Sequence, residues 1–128
     1  MSHTNRSKKA ARYGRLAEEA ARARYNLESE HTSWYDATTS DGRPVETKAA
    51  MLNRARGKGR FRVFEEFHRM LESAGGLYVF VAYQAAGRGI RVRKMRSVEA
   101  SSLNLEFYGA GGHRDSRQAK IPVRAVFR

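Results

Sequence analysis

Residues 34–48, WYDATTSDGRPVETK, read as two short extended segments joined by a tight turn. Ser40-Asp41-Gly42-Arg43 supplies the reversal, because Asp and Gly tolerate the left-handed backbone that bulkier residues resist. The first segment carries Asp36; the return segment carries Glu46 and Lys48. Side chains alternate along a strand, so Glu46 and Lys48 share one face and Thr47 takes the other. With Asp41-Gly42 at the tip, pairing brings Asp36 near Glu46 across the ladder. Two close carboxylates repel unless a proton or a cation sits between them. Oxygen donors of this kind suit a hard divalent ion. The ammonium of Lys48 is placed to hold a water or a developing anionic oxygen beside them.

Upstream, Ala, Arg, Glu and Leu dominate residues 8–27 and predict a helix. Tyr13, Leu16, Ala17, Ala20, Arg24 and Leu27 fall on one face by three-four spacing. Small side chains at Ala17 and Ala20 let such a helix approach a sheet closely. Glu18 and Glu19 occupy its two flanks, one of which looks toward the hairpin. Residues 1–7 are expected to form a disordered basic tail, and residues 8–128 a single domain.

Asp36 followed by Glu46-Thr47-Lys48 resembles the core motif of the PD-(D/E)xK nucleases. Gly14-Arg15-Leu16-Ala17-Glu18-Glu19-Ala20 is similar to the opening helix of archaeal Holliday junction resolvases and related small nucleases. There a Gly is followed four positions on by a Glu that leans toward the metal site; Glu18 is the matching residue. Tyr35 departs from the family, in which Pro often precedes the first acid. The resemblance implies Asp36 and Glu46 as metal ligands, joined by the backbone carbonyl of Thr47, with Mg²⁺ or Mn²⁺ as the cofactor. It implies that Lys48 orients the attacking water or stabilises the pentavalent phosphate. It also implies an α/β, restriction-endonuclease-like core in the order αβββαβ, with a mixed central sheet flanked by helices. Branched or duplex DNA would be the substrate and a homodimer the working form, since those resolvases are dimers. The likeness covers about residues 10–85 and does not extend convincingly over residues 97–128.

Beyond the hairpin, Arg54, Arg56, Lys58 and Arg60 alternate with Gly57 and Gly59 in a basic connector suited to phosphate contact. A second helix is expected from Phe61 or Arg62. Its apolar stripe would be Phe64, Phe67, Leu71 and Ala74, widened by Val63 and Met70, with His68 on the flank. Gly75-Gly76 would end it, Gly75 in a left-handed cap. Leu77–Tyr83, LYVFVAY, is an unbroken apolar run bounded by glycines, the pattern of a strand buried on both faces. After the Gly87-Arg88-Gly89 turn, residues 90–93 alternate apolar and basic like an edge strand. Arg91 and Arg93 there would extend the cationic surface that Arg62 continues from the connector. Residues 97–100 are expected to start a short helix and Leu103–Tyr108 a strand. Ile121–Phe127 would pack back on the domain, with Pro122 opening a turn. The polar cluster from His113 to Lys120 points to no particular chemistry.

Lys and Arg number 25 against 13 acids, a net charge of +12. Such a field attracts polyanions, chiefly nucleic acid. With no cysteine, disulfides and thiolate metal sites are excluded. No apolar run is long enough to span a bilayer, and the first residues lack the apolar core of a secretory signal, so a cytoplasmic protein with no membrane partner is expected. A second class fits the charge equally: a non-catalytic basic nucleic-acid-binding module, which would need neither Asp36 nor Lys48. An RNA-binding protein of ribosomal type fits less well, since the aromatics fall on packing stripes and not on an open stacking surface.

Overall fold

In the computed structural model, which describes residues 2–52, 59–109 and 116–127 with side chains from Lys8 onward, the apolar run becomes the centre of a sheet. Strands β1 (Glu28–Ser29), β2 (Ala37–Thr38), β3 (Pro44–Met51), β5 (Leu77–Ala86) and β6 (Gly89–Glu99) form a five-stranded sheet in the order β1-β2-β3-β5-β6. Strand β4 (Arg60–Phe64) pairs instead with β7 (Gln118–Pro122) in a separate antiparallel ribbon. Among the described residues three α-helices accompany the strands: α1 (Ser2–Tyr25), α2 (Glu65–Ser73) and α3 (Val123–Val126). Among the described residues β3 and β5 are parallel, and the other pairings in the main sheet are antiparallel. The sheet is therefore mixed and flanked by helices, the restriction-endonuclease-like arrangement.

Alternation along β5 divides the core in two. Val79 and Val81 pack with Ala17 and Ala21 of α1, and with Ala37 and Val45. Tyr78, Phe80 and Ala82 face the other way, onto Phe61 and Val63 of β4, Leu71 of α2, and Ile121, Val123 and Val126 near the C-terminus. Each large side chain sealed there contributes roughly 1.5–3 kcal/mol. On α1 the buried row is Tyr13, Ala17 and Ala21. The expected face is thus rotated: Ala20 is half-buried and Arg24 exposed, because the 13-17-21 spacing keeps alanines against the β-branched sheet. The helix begins at Ser2, inside the stretch expected to be a tail.

Residues 60–64 are strand, not the start of a helix. Arg60, Phe61, Arg62 and Val63 alternate exposed and buried, and all five residues of β4 find partners in β7. Helix α2 therefore starts at Glu65 and buries His68 and Leu71, whereas Met70, expected on the apolar stripe, is exposed. Strand β6 runs on to Glu99 where a helix was expected, with a single 3-10 turn at Ala100–Ser102. Residues 103–107 form no strand; Leu103, Leu105 and Phe107 pack on the core irregularly, and Tyr108 makes one bridge to Gln118.

Close approach at one end of the sheet depends on Gly76, where an added Cβ would lie 2.8 Å from the Pro44 carbonyl and 2.4 Å from Leu71 Cδ1. Arg43 then links three chain reversals. Its Nε donates to Gly75 O at 2.9 Å, and its Nη2 donates to both carboxylate oxygens of Glu99 at 2.6 and 2.7 Å.

Candidate active site

The hairpin reverses through residues 39–43, with Gly42 at φ +86°, a conformation that favours glycine. Its first strand is only two residues long, and Asp36 lies one residue before it. The Asp36 N–H still donates to Val45 O at 2.9 Å, and Ala37 pairs with Val45. Continuing that register sets Asp36 beside Glu46, as the hairpin reading expects.

Asp36 is held by Thr47 twice. The Thr47 backbone N–H donates to Oδ2 at 2.7 Å, and its hydroxyl donates to Oδ1 at 3.1 Å. Strand β2 begins only at Ala37, opposite Val45, so the edge of β3 at Thr47 is met by the Asp36 carboxylate and not by another strand. Nothing in the residue spacing announces this cradle; a Thr inside an ExK strand reads only as β-former.

Glu46 and Lys48 share a face as predicted, with Nζ 3.3 Å from Oε2 and each side chain about one-fifth exposed (21% and 22%). Burial pushes the Glu46 carboxyl up to about 8, reinforced by a hydrogen bond and negative charge from Asp36 and opposed by Lys48. A proton or a cation is what relieves two carboxylates so placed. Glu18 is half-buried; burial and then the charge of Asp36 raise its carboxyl above 4.5, while Arg22 and His31 pull the other way. Glu19 is exposed, so of the two flanking acids Glu18 is the one that senses the hairpin. Among the described residues no three His, Asp or Glu side chains gather as a ready metal cage. Asp36 and Glu46 are the acids that could hold a hard divalent ion here.

Tyr78 of β5 stands opposite Glu46 in the parallel ladder. Burial, then the charges of Glu46 and Glu72, push its phenol up. Its hydroxyl lies 2.8 Å from Nδ1 of His68, whose ring stacks on it. His68 is only 4% exposed, not a flank residue as expected. The 64-68-71 spacing was the available signal, since it puts His68 on the same stripe as Phe64 and Leu71. Burial lowers the His68 pKa below 6.5.

Of the residues expected to touch nucleic acid, Arg60 and Arg62 are exposed on β4, and Arg91 and Arg93 are exposed on β6. Arg54, Arg56 and Lys58 lie outside the described residues. Arg91 and Arg93 do not share a pleat face in the simple way. The ladder shifts between Ala82–Lys94 and Tyr83–Val92, leaving Arg93 at a bulge. Trp34 and Tyr35, edge to face at 4.5 Å, pack half-buried on the core next to Asp36. Among the described residues no helix is long and apolar enough to cross a membrane.

Comparison with known proteins gives one family match. Residues 4–128 fit the family described as a PD-(D/E)XK nuclease superfamily domain, so the match includes the C-terminal third that the sequence motifs left uncovered. No curated protein and no solved structure matches the chain.

Proposed function

The chain belongs to the PD-(D/E)XK nuclease superfamily, and from that premise we propose that it is a metal-dependent endonuclease hydrolysing phosphodiester bonds in DNA. The observation that carries the proposal is the convergence of Asp36, Glu46 and Lys48, with Glu46 protonated more readily than an ordinary carboxyl. Asp36, Glu46 and the Thr47 carbonyl would hold Mg²⁺ or Mn²⁺, which would supply Lewis acidity toward the phosphoryl oxygen. Thr47 fixes the rotamer of Asp36 and leaves further lone pairs on both oxygens for a ligand. Lys48 offsets the charge of Glu46 and has two more N–H groups, which can steady an attacking water or the anionic oxygen that builds up. Glu18 adds negative potential at the margin and takes part through solvent.

Within that activity we take four-way, branched DNA as the preferred form, on the Gly14–Glu18 spacing, with a homodimer placing two sites on symmetric strands. The test is cleavage of labelled four-way junction, duplex and single-stranded DNA with Mg²⁺ or Mn²⁺, against EDTA. Metal-dependent nicking that disappears in Asp36→Ala and Lys48→Ala, with DNA binding retained, is the expected result. Binding without cleavage in either metal would replace the enzyme with a basic binding module. Equal rates on junction and duplex would remove the branched-DNA preference, and a monomer by light scattering on the junction would remove the dimer.

A further inference from the structure

The β4–β7 ribbon stands apart from the main sheet, and its two faces are chemically opposite. Phe61, Val63, Ala119 and Ile121 are buried on the core. Between them Arg60, Arg62 and Lys120 point outward and are exposed. Among the described residues no carboxylate forms an ion pair with any of the three. By contrast Arg117, just before the ribbon, is fully engaged by Glu65 at 2.6 and 2.7 Å.

Arg62 and Lys120 are direct cross-strand partners. Opposed side chains on one ribbon face are close neighbours, and like charges there destabilise the pair. A ribbon that only covers a core has no use for this repulsion. A polyanion lying across both strands removes it. The ribbon is also tied to the strand that carries Glu46 and Lys48: Val123 N donates to Gly59 O at 3.2 Å, and an added Cβ at Gly59 would lie 2.6 Å from Met51 O at the end of β3. Whatever the ribbon grips is therefore held beside the strand that carries the candidate site. A two-stranded antiparallel ribbon is one of the elements that the major groove of B-DNA admits.

We propose that the β4–β7 ribbon is a docking element for duplex DNA, with Arg60, Arg62 and Lys120 seated on backbone phosphates. The choice of DNA as the polyanion rests on the nuclease reading above, whereas the ribbon's grip is independent of catalysis.

Binding of a labelled mixed-sequence duplex in EDTA, measured across a salt series, separates the two. Arg62→Ala and Lys120→Ala should each reduce the slope of log K against log salt by about 0.9, which is about eight-fold in affinity at 0.1 M salt relative to 1 M. Arg62→Glu gives the sharper result, because it turns a repulsive pair into an attractive one. It should raise the melting temperature by about 1–4 °C while weakening duplex binding by more than ten-fold. The double variant Arg62→Glu/Lys120→Glu should melt near the parent temperature and bind worst. A higher melting temperature with unchanged affinity and salt slope would make the outer cations solvated surface and overturn the proposal. So would failure of the parent protein to bind duplex at low salt, or losses confined to single-stranded DNA. If Mg²⁺ and Mn²⁺ support no cleavage but the charge reversals still abolish binding, the ribbon stands and the nuclease reading falls; if cleavage persists with binding untouched, the reverse holds.

Discussion

Strands β3 and β5 lie side by side, parallel and in register from Val45–Leu77 to Met51–Tyr83, yet carry opposite chemistry. Residues 78–83 of β5 are all buried, and all but Tyr78 and Tyr83 are wholly apolar. Residues 46–49 of β3 stay half-buried and include Glu46, Thr47 and Lys48. The backbone geometry is shared, so the difference comes from what covers each strand. β5 has β6 along its whole length on one side and β3 from Leu77 to Tyr83 on the other, whereas β2 covers only the first two residues of β3. An unpaired charge under full burial costs far more than the chain can offset. At the place where the neighbouring strand stops, β3 can keep an acid and an ammonium in partial contact with water. A fold-determining strand and a chemistry-bearing strand thus differ in their flank, not in their conformation.

The contrast can be tested from either side. Phe80→Ala on β5 empties a fully buried ring site and should lower unfolding free energy by about 3–5 kcal/mol, read by denaturant titration. If the loss is under 1 kcal/mol, β5 is not the strand that sustains the core. Lys48→Met on β3 should do the opposite: a cleavage rate down by about 10²–10³, with stability changed by less than about 1 kcal/mol, because Glu46 can take up a proton once its partner is gone. A large fall in melting temperature would make Lys48 structural.

A smaller effect distinguishes the polar contact between α2 and β5. The folded ring of His68 resists protonation, so below pH 6.5 the unfolded chain binds a proton that the native state does not. Stability should therefore fall as pH drops through about 6.5, by at most about 1.4 kcal/mol per pH unit, and His68→Gln should flatten that segment of the profile. An unchanged profile in the variant would assign the acid sensitivity elsewhere. Smallest of all, Thr47→Val keeps the backbone donor to Asp36 and removes the hydroxyl. A loss of about 1 kcal/mol in transition-state stabilisation, near ten-fold or less in rate, is expected, and no change would show that the backbone bond alone positions the acid.

Local signals carried much of this architecture. The apolar run of β5, the Asp41-Gly42 reversal, the left-handed Gly75 at φ +69° and the basic edge strand are each settled by neighbours in sequence. What escaped were features decided by distant partners. Phe61 and Val63 fit a short helix as well as a short strand, and only pairing with Ile121 and Ala119 makes them strand. His68 looked like a flank because its partner, Tyr78, comes from the next element. At the site, the acid and lysine pattern was visible as residue types in order. The Thr47 grip on Asp36 was not, since it depends on β2 starting only after Asp36.

The Arg43 guanidinium has a consequence for a chain with no cysteine. It fastens the hairpin tip, the terminus of α2 and the end of β6 together, much as a covalent bridge would. The fastening is largely electrostatic and partly open to solvent, at 34% and 50% exposure for its two side chains. Redox conditions cannot undo it, but concentrated electrolyte weakens it. Ionic strength is thus the variable that loosens three loops at once, and it does so at the end of the sheet where the acid hairpin turns.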